Sequence, residues 1–136
     1  MVRKIEISEC CSRVKYLPST NDYKEKLTIY EDKMSFTRKF GSKILDKKFC
    51  YEINHFNKEN FDLIWNEIQT AISNNYMLFG FDCDKIEVKL IQDNEVVSSS
   101  KCVLTLKQNN LLRTNYILVK ALKDLPYKFK PYFLEY

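Results

Sequence analysis

The chain has 136 residues and a formal net charge of +4; 45% of its residues are hydrophobic and 14% are aromatic. This length suits one domain with a sizeable core, and the apolar composition excludes an intrinsically disordered chain. No apolar run approaches the roughly 20 residues of a membrane-spanning helix, and the alternating residues 1–7 do not resemble a signal peptide. We therefore expect a single cytoplasmic domain over residues 1–136.

The N-terminal part of the chain predicts four strands, over residues 2–7, 26–30, 34–40 and 48–53. In the first of them, Ile5 and Ile7 alternate with charged residues, as in a half-buried strand. The short turn at residues 31–33 makes a hairpin of the second and third strands the simplest arrangement. Residues 9–22 are expected to form a loop, within which residues 14–17 could add a short edge strand.

Residues 57–73 carry a continuous helical stripe of apolar side chains. Asn57 suits the N-cap, because its side-chain oxygen can accept from backbone N–H groups that have no intrahelical partner. Phe56 and Phe61 then occupy the two positions of a hydrophobic staple, and residues 74–75 can end the helix, since Asn tolerates the left-handed conformation. The stripe consists of Phe61, Ile64, Trp65, Ile68, Ala71 and Ile72.

Two more strands are expected beyond this helix. Alternation of apolar and charged residues over residues 86–90 is the clearest pattern of a half-buried strand in the chain. A turn at residues 93–94 then leads to a return strand over residues 95–106. The three serines at residues 98–100 are expected to bend or bulge this return strand.

A second helix is expected over residues 110–123. Asn109 or Asn110 can cap it, because the Asn side chain accepts well from the first N–H groups of a helix. Its apolar residues lie close to one face, which predicts the side that is buried. The expected buried set is Leu112, Tyr116, Val119 and Leu122.

The predicted order of elements is β-β-β-β-α-β-β-α. Strands that cluster in consecutive hairpins favour an antiparallel sheet, and helices can cover one of its faces. The fold class is therefore α+β in two layers, with a mostly antiparallel sheet of five or six strands, two helices near residues 57–73 and 110–123, and an extended C-terminal tail.

The C-terminal tail is aromatic, whereas disordered chain ends are usually polar. Pro126 and Pro131 prevent a helix there and favour extended backbone. Two arrangements would cover the tail: docking on its own domain as a strand-like segment, or contact with a partner or a second copy. Left in water, its apolar side chains would form a large exposed patch; they are Tyr127, Phe129, Tyr132, Phe133, Leu134 and Tyr136.

The order of these features resembles that of a loose group of small uncharacterised proteins from low-GC Gram-positive bacteria and their mobile elements. The shared features are the hairpin at residues 27–36, the strand-to-helix passage at residues 54–61, the Asp-Cys-Asp connector at residues 82–84 and the proline-containing end at residues 126–134. One departure is the turn at residues 93–95, which lacks the glycine that such proteins often carry. The resemblance implies the fold, but it implies no activity, cofactor or site residue.

No arrangement of catalytic or metal-binding residues is recognisable in the sequence. The only histidine, His55, directly precedes the predicted helix cap and is expected to serve the turn rather than a reaction. The five cysteines have no paired spacing and are expected to be reduced thiols, with Cys50 and Cys102 as small buried strand residues. The acids that flank Cys83 would suppress its thiolate. We therefore expect no enzyme, no bound metal and no cofactor.

The charge of the chain is unevenly distributed, since residues 51–97 are acidic and the segments on either side are basic. The fold could separate these charges onto two faces or intermix them. Basic residues interleaved with aromatic ones could track phosphates and stack bases, whereas lysines on a sheet can also simply blunt its edges. The candidate contact residues are Arg13, Lys15, Tyr16, Arg38, Lys39, Phe129, Tyr132 and Phe133.

The function expected from these features is a non-enzymatic interaction or regulatory module of the cytoplasm, carried by a mobile element and binding a protein partner. The alternative is a nucleic-acid-binding protein, or an inhibitor of a nucleic-acid-processing complex. The acidic middle segment argues against a uniformly basic nucleic-acid surface, and the protein partner therefore ranks first.

Overall fold

The structure, a computed structural model, describes residues 1–11, 22–41, 47–79, 85–126 and 130–136. Its strands are β1 (Arg3–Cys11), β2 (Asp22–Tyr30), β3 (Met34–Gly41), β4 (Lys47–Ile53), β5 (Lys85–Gln92) and β6 (Glu95–Val103). Its helices are α1 (Lys58–Ser73) and α2 (Leu112–Ala121), with a short 3₁₀ helix, Lys107–Asn109, before α2. All neighbouring strands are antiparallel, in the order β4-β3-β2-β1-β5-β6. These elements confirm the predicted α+β fold and its order of strands and helices.

β1 lies inside the sheet, where it pairs with β2 on one side and β5 on the other. Ile5 and Ile7, whose alternation predicted this strand, are fully buried. The strand continues further than predicted, to Cys11, and β2 begins earlier than predicted, at Asp22. The expected loop over residues 9–22 is therefore wrong at both ends.

The β5–β6 hairpin turns at residues 93–94, as predicted. Asp93 and Asn94 have φ angles of 51° and 67°, and Asp and Asn adopt this left-handed conformation more readily than other residues with a side chain. The bulge in β6 lies at Val97, however, and not in the serines at residues 98–100. The strand register shifts at this point, which leaves Val97 without a partner in β5.

β6 ends at Val103, earlier than the predicted residue 106. Leu104 has a φ of 69°, a sparsely populated conformation for a residue with a bulky side chain, and it turns the chain out of the sheet. The backbone N–H of Leu106 then donates to the carbonyl oxygen of Phe133 at 2.8 Å. This segment therefore pairs with the C-terminal tail instead of with β5.

Helix α1 has the predicted start, buried face and end. The side-chain oxygen of Asn57 accepts from the backbone N–H of Glu59 at 2.7 Å. Phe56 is half-buried against the core, and its staple contact stays a prediction. Asn75, with a φ of 55°, donates from its N–H to the last turn at 3.3 Å, as in a Schellman cap. The buried residues of the helix are Phe61, Ile64, Trp65, Ile68 and Ala71.

Asn57→Ala should lower the free energy of unfolding by about 0.5–2 kcal/mol, because it removes the acceptor for an N–H group that has no intrahelical partner. Asn66→Ala is the matched control, since Asn66 is an exposed residue of the same helix and alanine favours helix. Urea denaturation of both variants measures the difference. If Asn57→Ala is as stable as Asn66→Ala, the side-chain cap does not stabilise the helix.

The predicted caps of α2, Asn109 and Asn110, are wrong. At this end the Glu67 carboxylate of α1 accepts from the backbone N–H groups of Arg113 and Thr114, at 3.1 and 2.7 Å. A carboxylate at a helix N-terminus also meets the positive end of the helix dipole. One helix therefore caps the other, which a local sequence motif cannot predict.

Asn109 is instead fully buried, and its side chain links two connecting segments of the chain. Its Nδ2 donates to the carbonyl oxygens of Val103 (2.6 Å) and Thr105 (2.8 Å). Its Oδ1 accepts from the backbone N–H of Leu78 at 2.6 Å. The segment that follows α1 is thereby fixed to the segment that precedes α2.

The predicted buried face of α2 is wrong for Leu112 and Tyr116, which are 58% and 63% exposed. It is confirmed for Leu122, which is 1% exposed, and Val119 is partly buried against the core. The carboxamide of Asn115 points inward, where it donates to the carbonyl oxygen of Glu135 (2.8 Å) and accepts from its N–H (2.9 Å). Periodicity places an asparagine on the outside, but this one is inside because the tail satisfies both of its polar groups. The buried residues of the helix are Thr114, Asn115, Ile117 and Leu118.

Candidate functional site: a lysine-bearing sheet face

One face of the sheet carries the core, and most of the described residues on the other face are exposed or half-buried. Successive residues of a strand point to opposite faces, and Leu27, Phe36 and Val88 are among the inward residues that are buried. We call the opposite side the uncovered face. Its described lysines are Lys4, Lys24, Lys26, Lys39, Lys85, Lys89 and Lys101, and its described glutamates are Glu6, Glu52 and Glu87. Lysines outnumber glutamates, so the described part of this face is basic.

Three exposed lysines, which we call the lysine row, lie in register across one end of the uncovered face: Lys24, Lys39 and Lys85. Lys24 of β2 is directly opposite Lys39 of β3, and both Lys24 and Lys85 are register partners of Cys10 in β1. Adjacent strands are about 4.8 Å apart, and like charges placed opposite each other destabilise a sheet. Within the described part of the chain, the ion pairs of this face involve none of the three.

Further along the same face, glutamates neutralise other lysines. Glu6 lies 3.3 Å from the Nζ of Lys26, and Glu87 lies 3.2 Å from Lys89 and 3.8 Å from Lys101. Exposed pairs of this kind contribute only about 0–1 kcal/mol to stability, so their main effect is on the distribution of charge. The fold thus intermixes acidic and basic segments here, and the excess positive charge is left at the lysine row.

The covered face of the sheet contains a buried ion pair. Arg38 of β3 lies opposite Glu25 of β2, with 2.9 Å between Nη2 and Oε2 and no exposed surface on either side chain. Glu9, the inward residue opposite Glu25 in β1, is fully buried as well. Charged residues at inward positions break the apolar alternation. They explain why the sequence pattern underestimated the lengths of β1 and β2.

The C-terminal tail supplies further hydrogen bonds to that ion pair. The Nη2 of Arg38 donates to the carbonyl oxygen of Lys130 at 2.7 Å, and the backbone N–H of Tyr132 donates to Oε1 of Glu25 at 2.8 Å. The guanidinium of Arg38 also lies over the Tyr132 ring, 4.8 Å from its centroid. A buried ion pair stabilises a fold only when hydrogen bonds satisfy its remaining polar atoms, and here the tail provides two of them.

Docking of the tail on its own domain is confirmed for residues 130–136. Phe133 and Leu134 are 0% and 4% exposed, and both belong to the core. The segment docks as a turn and not as the predicted strand-like segment. Residues 127–129 lie outside the part of the chain that the structure describes.

The predicted contact residues are not brought together. Arg38 and Phe133, expected on a contact surface, are fully buried, because the tail covers the first and inserts the second into the core. Tyr132 is 40% exposed and lies against Arg38, whereas Lys39 belongs to the lysine row on the other side of the sheet. Four candidates, and the edge strand suggested at residues 14–17, lie outside the described residues; the four are Arg13, Lys15, Tyr16 and Phe129.

The candidate set omitted Lys24 and Lys85, which the fold places in one row with Lys39. Strand alternation alone puts Lys85 on the outward side of β5, since Ile86 is the first inward residue of that strand. Its position beside the other two depends on the order of strands in the sheet. Local sequence patterns do not carry that information.

The two cysteines whose side chains are described differ in exposure. Cys50 of β4 is exposed, which corrects the expectation that it is buried. Cys102 of β6 is 1% exposed, as expected. Burial and, to a smaller extent, the Glu9 carboxylate raise the pKa of the Cys102 thiol to about 12. This thiol therefore stays protonated near neutral pH, and a protonated thiol is a poor nucleophile.

In the folded protein at pH 8, iodoacetamide should alkylate Cys50 and leave Cys102 unmodified. The reagent attacks the thiolate, and Cys102 is both buried and protonated under these conditions. Peptide mass spectrometry after quenching measures modification at each position, and the same reaction in urea is the control in which both should react. Equal modification of the two in the folded protein would contradict the burial of Cys102.

In the described part of the chain, no group of three or more His, Cys, Asp or Glu side chains is placed to hold a metal ion. His55 is exposed and lies just ahead of the α1 cap. The connector at residues 82–84 is outside the described residues. Among the residues that are described, no helix has the length and apolar character to cross a membrane.

Sequence comparisons do not assign this chain to a family. No protein-family model and no curated protein matches it. The resemblance to small proteins of low-GC Gram-positive bacteria therefore stays a prediction.

Proposed function

We propose that this protein is a non-enzymatic regulatory module of the cytoplasm whose uncovered face binds an acidic surface on a protein partner. The observation that supports this is the lysine row, Lys24, Lys39 and Lys85, which is exposed and takes no part in the ion pairs between described residues of its face. Lysines that repel one another across strands lower the stability of the free domain. A bound acidic surface would relieve that repulsion. The further proposal of a mobile-element origin rests on the sequence resemblance alone.

Protection of sheet edges does not account for these lysines. Lysines on an edge strand keep sheets from pairing with one another. The lysine row, however, lies on β2, β3 and β5, which all have a neighbouring strand on both sides. These lysines therefore do not serve to keep an edge strand from pairing, and this favours a role in binding.

The composition of the uncovered face favours an acidic protein over a nucleic acid. Surfaces that hold single strands combine a positive track with several aromatic side chains on which bases stack. The described part of this face offers one aromatic side chain, Tyr30, and Lys33 lies over its ring at 5.2 Å from the centroid. Glu6 and Glu87 interrupt the positive track. Such mixed charge suits a protein surface with a complementary pattern.

Charge reversal of the lysine row tests this proposal. The variant K24E/K39E is compared with K58E/K123E, which changes the net charge equally at two exposed lysines outside the sheet. The probes are a labelled glutamate-rich peptide and labelled DNA and RNA, each titrated by fluorescence anisotropy at several salt concentrations. We expect the wild type and the control to bind the peptide, and K24E/K39E to bind it at least roughly tenfold more weakly, a change of about 1.4 kcal/mol.

Three outcomes would count against the proposal. Peptide binding that survives K24E/K39E would show that the lysine row is not the site. Binding of DNA or RNA that is tighter than peptide binding, and that falls steeply with salt, would replace the protein partner with a nucleic acid. An absence of binding to every probe would leave the uncovered face without the proposed role. Circular dichroism of both variants verifies that each is folded.

A further inference from the structure

The helices α1 and α2 border a groove on the surface of the protein. The Glu67 carboxylate of α1 meets the start of α2, and Asn57 at the start of α1 lies near Lys120 at the end of α2. The two helices therefore run in opposite directions, with a channel between them. We call this channel the helix groove, and the residues that form its walls are Asn60, Leu63 and Thr70 of α1 and Arg113, Tyr116 and Lys120 of α2.

The helix groove has a hollow at each end. The first, of about 410 Å³, lies between Asn60 and Lys120, and the second, of about 420 Å³, lies between Thr70 and Arg113. Arg113 and Lys120 are seven positions apart in α2, which corresponds to about 10.5 Å along a helix axis. A helix returns a side chain to the same side after seven residues, whereas an extended strand does so after about 6.6 Å. The spacing of the hollows therefore fits side chains two turns apart on a third helix.

Exposed apolar side chains line the helix groove. Leu63 and Tyr116, on opposite walls, are 37% and 63% exposed, and Tyr76, which is 53% exposed, borders the second hollow. Single exposed apolar residues are ordinary on a protein surface, but these three line one channel. Tyr and Arg are also enriched where proteins bind one another. The groove is therefore suited to the apolar stripe of an amphipathic helix.

The α2 wall of the helix groove is basic. Arg113 and Lys120 lie beside one hollow each, and the ion pairs between described residues involve neither of them. Lys120 instead lies over the Tyr116 ring, 5.4 Å from its centroid. Glu67 also lines the second hollow, but its oxygens accept from backbone N–H groups of α2. Acidic side chains two turns apart on a bound helix complement both cations.

We propose that the helix groove binds an acidic amphipathic helix of a partner protein. The bound helix places apolar side chains two turns apart in the two hollows, and its acidic side chains face Arg113 and Lys120. Helix-in-groove binding characteristically uses anchors at the spacing i, i+3, i+4 and i+7. The helix groove is separate from the lysine row, which lies on β2, β3 and β5. The inference goes beyond the proposed function and does not depend on it.

Three labelled peptides test the groove by fluorescence anisotropy. The acidic peptide is alanine-based, with leucines at the helical spacing i, i+3, i+4 and i+7 and glutamates that flank this stripe. The basic peptide carries lysines in place of the glutamates, and the scrambled peptide keeps the acidic composition without the stripe. We expect the wild type to bind the acidic peptide at least roughly tenfold more tightly than either of the others. K24E/K39E should leave this preference unchanged, because the lysine row does not recognise an apolar stripe.

Charge reversal on the α2 wall tests the position of the bound helix. R113E/K120E should bind the acidic peptide at least roughly tenfold more weakly than the wild type. It should also bind the basic peptide more tightly than the wild type does, a gain that a misfolded variant would not show. The control K33E/K101E changes the net charge equally at two exposed lysines that do not line the groove, and it should keep the wild-type affinities.

Tyr116→Ala tests the apolar part of the groove. Because Tyr116 is 63% exposed, its truncation should leave the melting temperature close to that of the wild type while it weakens binding of the acidic peptide several-fold. Chemical-shift mapping by nuclear magnetic resonance should place the bound peptide at residues of α1 and α2.

Four results overturn the inference. The acidic and scrambled peptides bind equally, or neither binds. Binding of the acidic peptide survives R113E/K120E. The chemical-shift changes are confined to β2, β3 and β5. The protein associates with itself in sedimentation experiments and R113E/K120E abolishes that association, which makes a second copy the occupant of the groove.

Discussion

Replacing Arg38 with methionine should lower the free energy of unfolding by about 3–5 kcal/mol, because it breaks a fully buried ion pair by removing one of its two members. Both side chains have no exposed surface, and their nitrogen and oxygen lie 2.9 Å apart. The change also removes the hydrogen bond to the Lys130 carbonyl, so the tail should loosen together with the core. Urea denaturation followed by tryptophan fluorescence measures the loss, since Trp65 is the only tryptophan and belongs to the core.

Two further variants separate the effect of the buried charge from that of the substitution itself. K39M changes the exposed neighbour of Arg38 and should cost no more than about 0.5 kcal/mol. The double variant E25M/R38M replaces both charges with apolar side chains and should be more stable than R38M alone. If R38M is as stable as K39M, the buried pair does not stabilise the fold.

Phe133→Ala should lower the free energy of unfolding by about 3–5 kcal/mol, because it empties a fully buried position of the core. The loss should be the same at every protein concentration, since Phe133 packs on its own domain. Leu112→Ala is the control: Leu112 is 58% exposed, and its truncation should change stability by no more than about 0.5 kcal/mol. Thermal and urea denaturation at several protein concentrations measure both variants.

Deletion of residues 127–136 extends the same test to the whole tail. It should lower the melting temperature at all concentrations, because it removes Phe133 and Leu134 from the core together with the tail's hydrogen bonds to Arg38 and Glu25. A deletion variant that keeps its melting temperature would contradict docking of the tail on its own domain.

Local sequence patterns predicted the buried side of an element correctly where its apolar residues face inward and its polar residues face outward. α1 has its predicted stripe, and its cap, Asn57, bonds to a residue two positions away. β5 has inward residues Ile86, Val88 and Leu90 that alternate with exposed or half-buried ones. In both elements these residues follow the period of their own secondary structure, so the sequence alone determines which side is buried.

Local patterns failed where a polar side chain points inward and finds its partner far along the chain. Glu25 is one such residue, since its hydrogen bond to Tyr132 spans 107 positions. Asn115 is another, and the prediction of the α2 face went wrong there. Glu67, which caps α2 across 47 positions, is a third. A sequence window assigns such residues to the solvent side, because it cannot contain the group that satisfies them.

The candidate site was predictable only in part, for a related reason. The basic character of the N-terminal segment is evident from the sequence, and Lys39 was among the predicted contacts. The lysine row depends on β5 joining the same sheet beside β1, which brings Lys85 near residues that lie far from it in the chain. Arg38 is absent from the surface because it forms a buried ion pair with Glu25 of the adjacent strand. No residue next to Arg38 in the sequence indicates this pairing.

The hydrogen bonds of the tail to Arg38 and Glu25 have a consequence for synthesis of the chain on the ribosome. Arg38 donates to a carbonyl oxygen that lies 92 positions later in the chain, and Glu25 accepts from an N–H group that lies 107 positions later. The six strands and two helices of the described residues all precede these groups in the sequence, so an N-terminal portion can assemble before these two bonds to the ion pair form. Both bonds can form only after residues 130–132 have left the exit tunnel. A nascent chain that stops before residue 130 should therefore hold this ion pair without the two bonds.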